Sequence, residues 1–212
     1  MMDVLARGDG GIMEEILPGI FFWRQAHPKI KIPVSSYYLK PEHVLIDPLI
    51  PDQGIEWFAE DPPENIYMSI RHHYRHCGEF AARYGCEVWC AEQGMHEFTK
   101  GEIVRPFKFG DTLPGNVKAV EIGSICADES ALFIDRDGGC VVLADGCVRR
   151  GDGPLQFVPD TLLGDEPETV KAGLKDAYAR LLENYSFTTL LLAHGQPIVG
   201  QGRAALEKFV SN

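Results

Sequence analysis

The chain has 212 residues, 45% of them hydrophobic, with 31 acidic against 20 basic side chains and a net charge of −11. That length buries enough apolar surface to fold without disulfides or a structural metal, and the negative excess disfavours nucleic acid and anionic membranes as partners. No apolar run approaches the roughly 20 residues that span a bilayer.

In chain order, residues 20–24 and 34–39 are short β-rich runs, Pro41 and Glu42 make a turn, and 43–46 is a strand ending at Asp47-Pro48. Residues 53–59 form a weak helix. A strand over 66–70 follows the breaker Asp61-Pro62-Pro63. Residues 71–84 place Phe80, Ala81 and Tyr84 at helical spacing, with Gly85 as a stop. Strands at 87–91 and 117–122 come next. A hairpin then joins 131–134 to 140–144 through Asp135-Arg136-Asp137-Gly138-Gly139. The clearest helix is 168–183, with Val170, Leu174, Ala177, Leu181 and Leu182 near one face. A buried strand at 187–193 and a short helix at 203–210 complete the order. Alternating strands and helices, with no repeat and no linker, imply one α/β layered domain over residues 1–212.

The six cysteines, at 77, 86, 90, 126, 140 and 147, form no Cys-x-x-Cys pair, and residues 1–15 are acidic without an apolar core. A cytoplasmic protein with reduced thiols is expected. The glycines from Gly8 to Gly11 precede their first strand, so they are not a phosphate loop. Ser124 lacks the flanking glycines of a nucleophile elbow. Cys86 and Cys90 read as core; His27, His43 and His96 read as surface or loop residues. The expected partner is an unidentified small molecule, neither nucleic acid nor membrane, and nothing indicates an oligomeric state.

Three polar clusters stand at strand ends, where open sheets present functional groups on loops. They are Arg71-His72-His73-Tyr74-Arg75-His76, then Asp145-Gly146 after an apolar strand, then His194-Gly195 after Leu190-Leu191-Leu192-Ala193. Strand and then ligand, three times in this order, resembles the metallo-β-lactamase superfamily. Its motifs are His-x-His-x-Asp-His, a middle His, an Asp after a strand, and a final His-Gly. Leu45-Ile46-Asp47-Pro48 resembles the Asp-bearing turn that precedes the main motif. The resemblance runs from about Gly11 to Val210 and implies a four-layer αββα sandwich, with the site at one edge.

On that pattern His73 and His76 match the second and third His, and Asp145 and His194 match their own positions. Arg71 stands in the first His position and Arg75 in the Asp position. The middle His is absent from Gly123-Ser124-Ile125-Cys126-Ala127-Asp128-Glu129-Ser130, with Ile125 or Cys126 in its place. The resemblance thus implies that one metal position is dismantled. The other keeps His76, Asp145 and His194, with His73 as a fourth ligand or a water-orienting group. Cys126 can be a replacement ligand or a small buried apolar residue. Plainer roles stand beside these: a polar helix start for 71–76, a turn residue for Asp145, a backbone-bonded strand end for His194.

A guanidinium cannot ligate a cation, and two near a divalent ion repel it by roughly several kcal/mol. The partner expected for Arg71 and Arg75 is Asp145 or Glu79, with Arg75 reaching Asp145 to replace the metal as a link between loops. Asp47 and Glu79 are assigned to the surround rather than to the metal. Two readings follow. One is a metal-free or poorly metallated protein, an anion or small-molecule binder or a pseudoenzyme. The other is a hydrolase with a single divalent metal, zinc if any, at His76, Asp145 and His194.

Overall fold

The computed structural model describes residues 11–212; Gly8 and Gly10 of the glycine-rich opening, with Asp3 and Asp9 of the acidic N-terminal segment, lie outside the described residues. Strands β1 (Glu14–Leu17), β2 (Ile20–Ala26), β3 (Pro33–Leu39), β4 (Val44–Ile46), β5 (Asn65–Tyr67), β6 (Glu87–Ala91) and β7 (Arg105–Phe107) form one sheet in sequential order. The pairing is antiparallel from β1 to β4 and parallel from β4 to β7. A second sheet holds β8 (Thr112–Leu113), β9 (Val117–Glu121), β10 (Ser130–Ile134), β11 (Cys140–Leu143) and, after the short pair β12 (Val148–Arg149) and β13 (Leu155–Gln156), β14 (Thr189–Leu192). Its order is β14-β11-β10-β9-β8.

Helix α1 (Cys77–Tyr84) packs Cys77 and Phe80 on the outer face of the first sheet, against Tyr38, Leu45, Ile66 and Val88. Helices α2 (Pro167–Asn184) and α3 (Gly202–Ser211) bury Leu174, Ala177, Leu181, Leu206 and Phe209 on the outer face of the second. Between the sheets lie Phe22, Tyr37, Ile46, Tyr67, Leu132, Val142 and Leu191. The result is four layers, αββα. Strands covered on both faces carry unbroken apolar runs, which is why 140–144 and 187–193 stand out in the sequence. No helix among the described residues is long and apolar enough to cross a membrane.

Departures from the expected elements have local causes. The strands β1, β7, β8, β12 and β13 were not expected; most are short and half exposed, with little alternation to read. The weak helix at 53–59 is a 3₁₀ turn, Ile55–Phe58. The helical segment starts at Cys77, not Arg71. Before it, Arg71–His73 is a 3₁₀ turn and Arg75 is left-handed at φ 40°. Backbone groups there are committed elsewhere: Arg71 N–H to the Asp128 carboxylate (2.7 Å) and His76 N–H to Pro48 O (3.1 Å). Tertiary partners override helical spacing at this point.

Near the site the two sheets are fastened directly. The Tyr37 hydroxyl crosses the core from β3, donating to Leu192 O (2.8 Å) and accepting from Leu192 N–H (2.9 Å). Ser35 N–H donates to Ala193 O (2.8 Å) and Ser35 Oγ to Gly195 O (2.9 Å). Tyr37→Phe keeps the packing but leaves two buried backbone groups of β14 unpaired. A loss of about 2–4 kcal/mol is expected in urea unfolding, at the cost of 1–3 kcal/mol per unsatisfied group. Tyr38→Phe, whose hydroxyl donates to Asp61 O near the surface, should lose about 1 kcal/mol.

Candidate metal centre

Register places the first two site residues. β11 and β14 pair in parallel with Leu143 opposite Leu192, so the residues two further on, Asp145 and His194, leave the sheet side by side. The glycine after each is required by close approach. A Cβ at Gly146 would meet Leu174, the Tyr178 hydroxyl and Glu129 Oε1, all within 2.8 Å; at Gly195, φ 128°, it would lie 2.4 Å from Arg149 O.

His73 arrives from the other sheet. β4 and β5 are parallel, with Ile46 opposite Tyr67, and Asp47 follows β4 in the left-handed region at φ 47°. Its buried carboxylate accepts from Ser69 N–H (2.9 Å), from Ser69 Oγ and from His73 Nδ1 (3.0 Å). Since a carboxylate only accepts, the proton of His73 sits on Nδ1, and Nε2 faces the site.

His73, Asp145 and His194 bring their donor atoms within 4.8 Å of one another. Asp145 Oδ1 is 3.1 Å from Nε2 of His73 and from Nε2 of His194. It is buried, yet neither imidazole aligns an N–H on it. Atoms each about 2.1 Å from one ion are about 3.0–3.4 Å apart, so the two 3.1 Å separations fit ligands of a shared cation. The donor set and its spacing fit a divalent cation.

Without a cation, a proton must do the same work. Burial lowers the His73 pKa and so does Arg75, but Asp47 and Asp145 on its two nitrogens prevail and raise it to about 9. Burial pushes Asp145 up, but the His73 charge and the adjoining His194 imidazole hold its carboxyl well below the usual range. Burial likewise acts against Asp47, and His73, then Arg75 and Ser69, keep it ionised.

His76 does not join this set. Its Nδ1 accepts Ile50 N–H (2.9 Å), which puts the ring proton on Nε2 and leaves no lone pair there for a metal. The expected trio of His76, Asp145 and His194 is therefore replaced, in the geometry, by His73, Asp145 and His194. Neither arginine pairs with Asp145 or Glu79. The Arg71 guanidinium binds the fully buried Asp128, with Glu97 at 3.9 Å. Arg75 uses Nη1 on the carbonyls of Ser35 (2.6 Å) and Asp47, while Nε and Nη2 are buried without a partner. Glu79 is exposed in the first turn of α1. Ile125 packs toward the helices on the second sheet. Cys126 lies against Arg71; burial raises its thiol pKa, partly opposed by that charge.

Three residues of the site carried no assigned role in the sequence. Ser69 and Asp128 are buried partners of Asp47 and Arg71. Glu129 accepts Ile125 N–H (3.1 Å) and Gly146 N–H (3.0 Å), tying the 123–130 loop to the one bearing Asp145. Burial raises its pKa to about 7, against those N–H groups. Adjacent acids immediately before an apolar strand were the available signal for Asp128 and Glu129.

Solved structures share this arrangement of layers. A β-lactamase domain protein from Burkholderia ambifaria is similar over 98% of this chain and 78% of its own, at 16% identity and TM-score 0.66. A metallo-β-lactamase from Pontibacter korlensis is similar over 95% and 99%, at 17% identity and TM-score 0.67. The chain has the metallo-β-lactamase fold. A flavoprotein from Thermotoga maritima carries it too, at 17% identity and TM-score 0.67, but this chain spans 60% of that protein's length. No protein-family model and no curated protein sequence matches the chain. At such identities the likeness is one of backbone, and the metallo-β-lactamase fold here keeps its own side-chain set at the site edge.

The His73 shift has a sign that can be measured in metal-free protein. A folded-state pKa raised from 6.5 to about 9 stabilises fully below pH 6.5 and is lost between there and about pH 9. Chelator-treated protein should lose on the order of 1–3 kcal/mol of unfolding free energy over that window. Asp47→Asn, which removes one of the two charges on the ring, should flatten the loss. An unchanged slope in Asp47→Asn would show that His73 is not the group responsible.

Proposed function

We propose that the chain is a metallo-hydrolase-like protein that holds one divalent cation between His73 Nε2, Asp145 Oδ1 and the His194 ring, and acts on a small-molecule substrate. The observation that carries this reading is the buried Asp145 Oδ1, 3.1 Å from two imidazole nitrogens and hydrogen-bonded to neither. Two histidines and a carboxylate are a donor set of catalytic rather than structural zinc. Such an ion supplies Lewis acidity to a substrate oxygen.

The chain's own residues have separate tasks. Asp47 fixes the His73 ring and makes Nε2 a stronger donor. Asp145 is held between the two imidazoles by the register of β11 and β14. Arg75 adds a fixed positive charge near both carboxylates, which weakens the hold on a cation and spares the protein an unpaired pair of buried acids.

One observation favours a second reading. With a proton on each nitrogen of His73, the row Asp47–His73–Asp145 is a closed ion-pair chain that needs no metal. The protein is then an anion or small-molecule binder without hydrolytic chemistry.

Elemental analysis separates the two. Protein purified without added metal, then incubated with zinc, manganese or iron and desalted, should retain about one equivalent of at least one of them. Asp145→Ala and His194→Ala should retain well under that, and His76→Asn should match the parent. Retention below about a tenth of an equivalent for every metal would overturn the first reading in favour of the second.

A further inference from the structure

We propose that Glu129 is the positioning residue for Asp145: its buried carboxylate grips the peptide joining Asp145 to Gly146 and so sets the Asp145 side chain between the two imidazoles. The inference deepens the function proposed above and rests on it for the metal, while the positioning itself belongs to the metal-free chain as well.

The Gly146 N–H and the Asp145 carbonyl belong to one planar peptide group, so a partner that fixes the N–H fixes the plane from which the Asp145 side chain departs. Glu129 Oε1 accepts that N–H at 3.0 Å, and its other oxygen, Oε2, accepts Ile125 N–H at 3.1 Å. The sheet does not reach so far. Its backbone bonding from β14 to β11 carries to Ala193 N–H on Leu143 O (3.0 Å), two residues short of Asp145. Glu129 is itself anchored on both sides. Its N–H donates to Cys126 O (2.9 Å), and its carbonyl accepts Ile122 N–H (3.1 Å) and Gly123 N–H (3.0 Å).

Nothing else stands ready to take over the grip. Glu129 and Gly146 are both buried. Leu174 and the Tyr178 hydroxyl of α2 press so closely that a Cβ at Gly146 would lie 2.4 and 2.5 Å from them. The hydroxyl is buried without a hydrogen-bond partner, so it takes no share in holding the Gly146 N–H. A buried N–H that loses its acceptor in such a place costs free energy until the chain end shifts to find another. The neighbouring acid does the matching work on the other side of the site. Asp128 accepts Arg71 N–H (2.7 Å) and pairs with its guanidinium, holding the loop that carries His73. Two adjacent acids at the head of β10 thus aim at the two loops whose side chains meet, and partners that hold ligands set the strength of a metal site along with the donors themselves.

The test uses full-length protein and three variants. Glu129→Ala removes both acceptors, and Glu129→Gln keeps the shape with one acceptor in place of two. Val88→Ala, on the outer face of the first sheet, is a destabilised control away from the site. Zinc affinity is measured by competition with a chromophoric chelator. Glu129→Ala should weaken it about tenfold or more, Glu129→Gln by less, and Val88→Ala should match the parent. In chelator-treated protein the ring nitrogens of His73 and His194 are followed by NMR. They should shift in both Glu129 variants, because Asp145 no longer lies against them, and hold their places in Val88→Ala. Should Glu129→Ala fail to fold, Glu129→Gln carries both measurements. A parent that takes up no zinc, but whose rings shift on substitution, supports the positioning and defeats only the metal reading. Ring nitrogens at parental positions in the Glu129 variants would overturn the proposal, with or without zinc. So would an affinity loss as large in Val88→Ala as in the Glu129 variants.

Discussion

The carboxylate of Asp47 is the contact on which the site depends. It sits at the end of β4, buried, and gathers Ser69 N–H, Ser69 Oγ and His73 Nδ1, while its own carbonyl receives Ser36 Oγ and Arg75 Nη1. One residue thus fixes the turn after β5, the tautomer of His73 and the place of Arg75. A buried charge with no such partners would be expelled or neutralised; with them it orders everything within reach. Its left-handed backbone is the local expense of aiming the side chain back across the strand ends.

The arginines do a structural job that the sequence put elsewhere. Arg71 joins the 71–76 loop to the 123–130 loop through Asp128, and Arg75 joins it to β3 and β4 through two carbonyls. An ion shared by those loops would hold them by its ligands; here guanidinium forks hold them by hydrogen bonds. Both cross-links leave Asp145 unclaimed. A positive charge set among the ligand positions therefore leaves the donor set intact: Arg75 spends its one bonded nitrogen on carbonyls, and Asp145 Oδ1 still faces two imidazoles.

The layers were legible because parallel, doubly covered strands and an amphipathic helix write strong patterns: 140–144, 187–193 and 168–183 all appear within a few residues of their expected bounds. The strand-then-ligand spacing likewise brought Asp145 and His194 together, since parallel register carries it into space. What sequence spacing cannot encode is which nitrogen of a histidine is free. His73 and His76 are three residues apart and identical as letters. Their roles differ because Asp47 accepts from one Nδ1 and Ile50 donates to the other. Those partners lie 26 residues away in both cases, and only the folded chain brings them in. The partners of Arg71 were hidden for the same reason: Asp128 is 57 residues on.

The two readings of the site are linked by one proton. Neutral His73, with its hydrogen on Nδ1, would turn the Nε2 lone pair toward the Asp145 carboxylate at 3.1 Å, an arrangement of two electron-rich atoms that is stable only with something positive between them. A proton and a divalent cation compete for that position. The same carboxylates that raise the His73 pKa to about 9 make Nε2 a better donor to metal, so basicity and metal affinity rise together. Arg75 opposes both, since its charge disfavours a proton and a cation alike. On the metal-bound reading, lowering pH would displace the cation by protonating His73, and the protonated ring would then supply the link to Asp145 in its place. The second partners of these side chains, Asp47 on His73 above all, would hold such a site together whether a proton or a cation lies between His73 and Asp145.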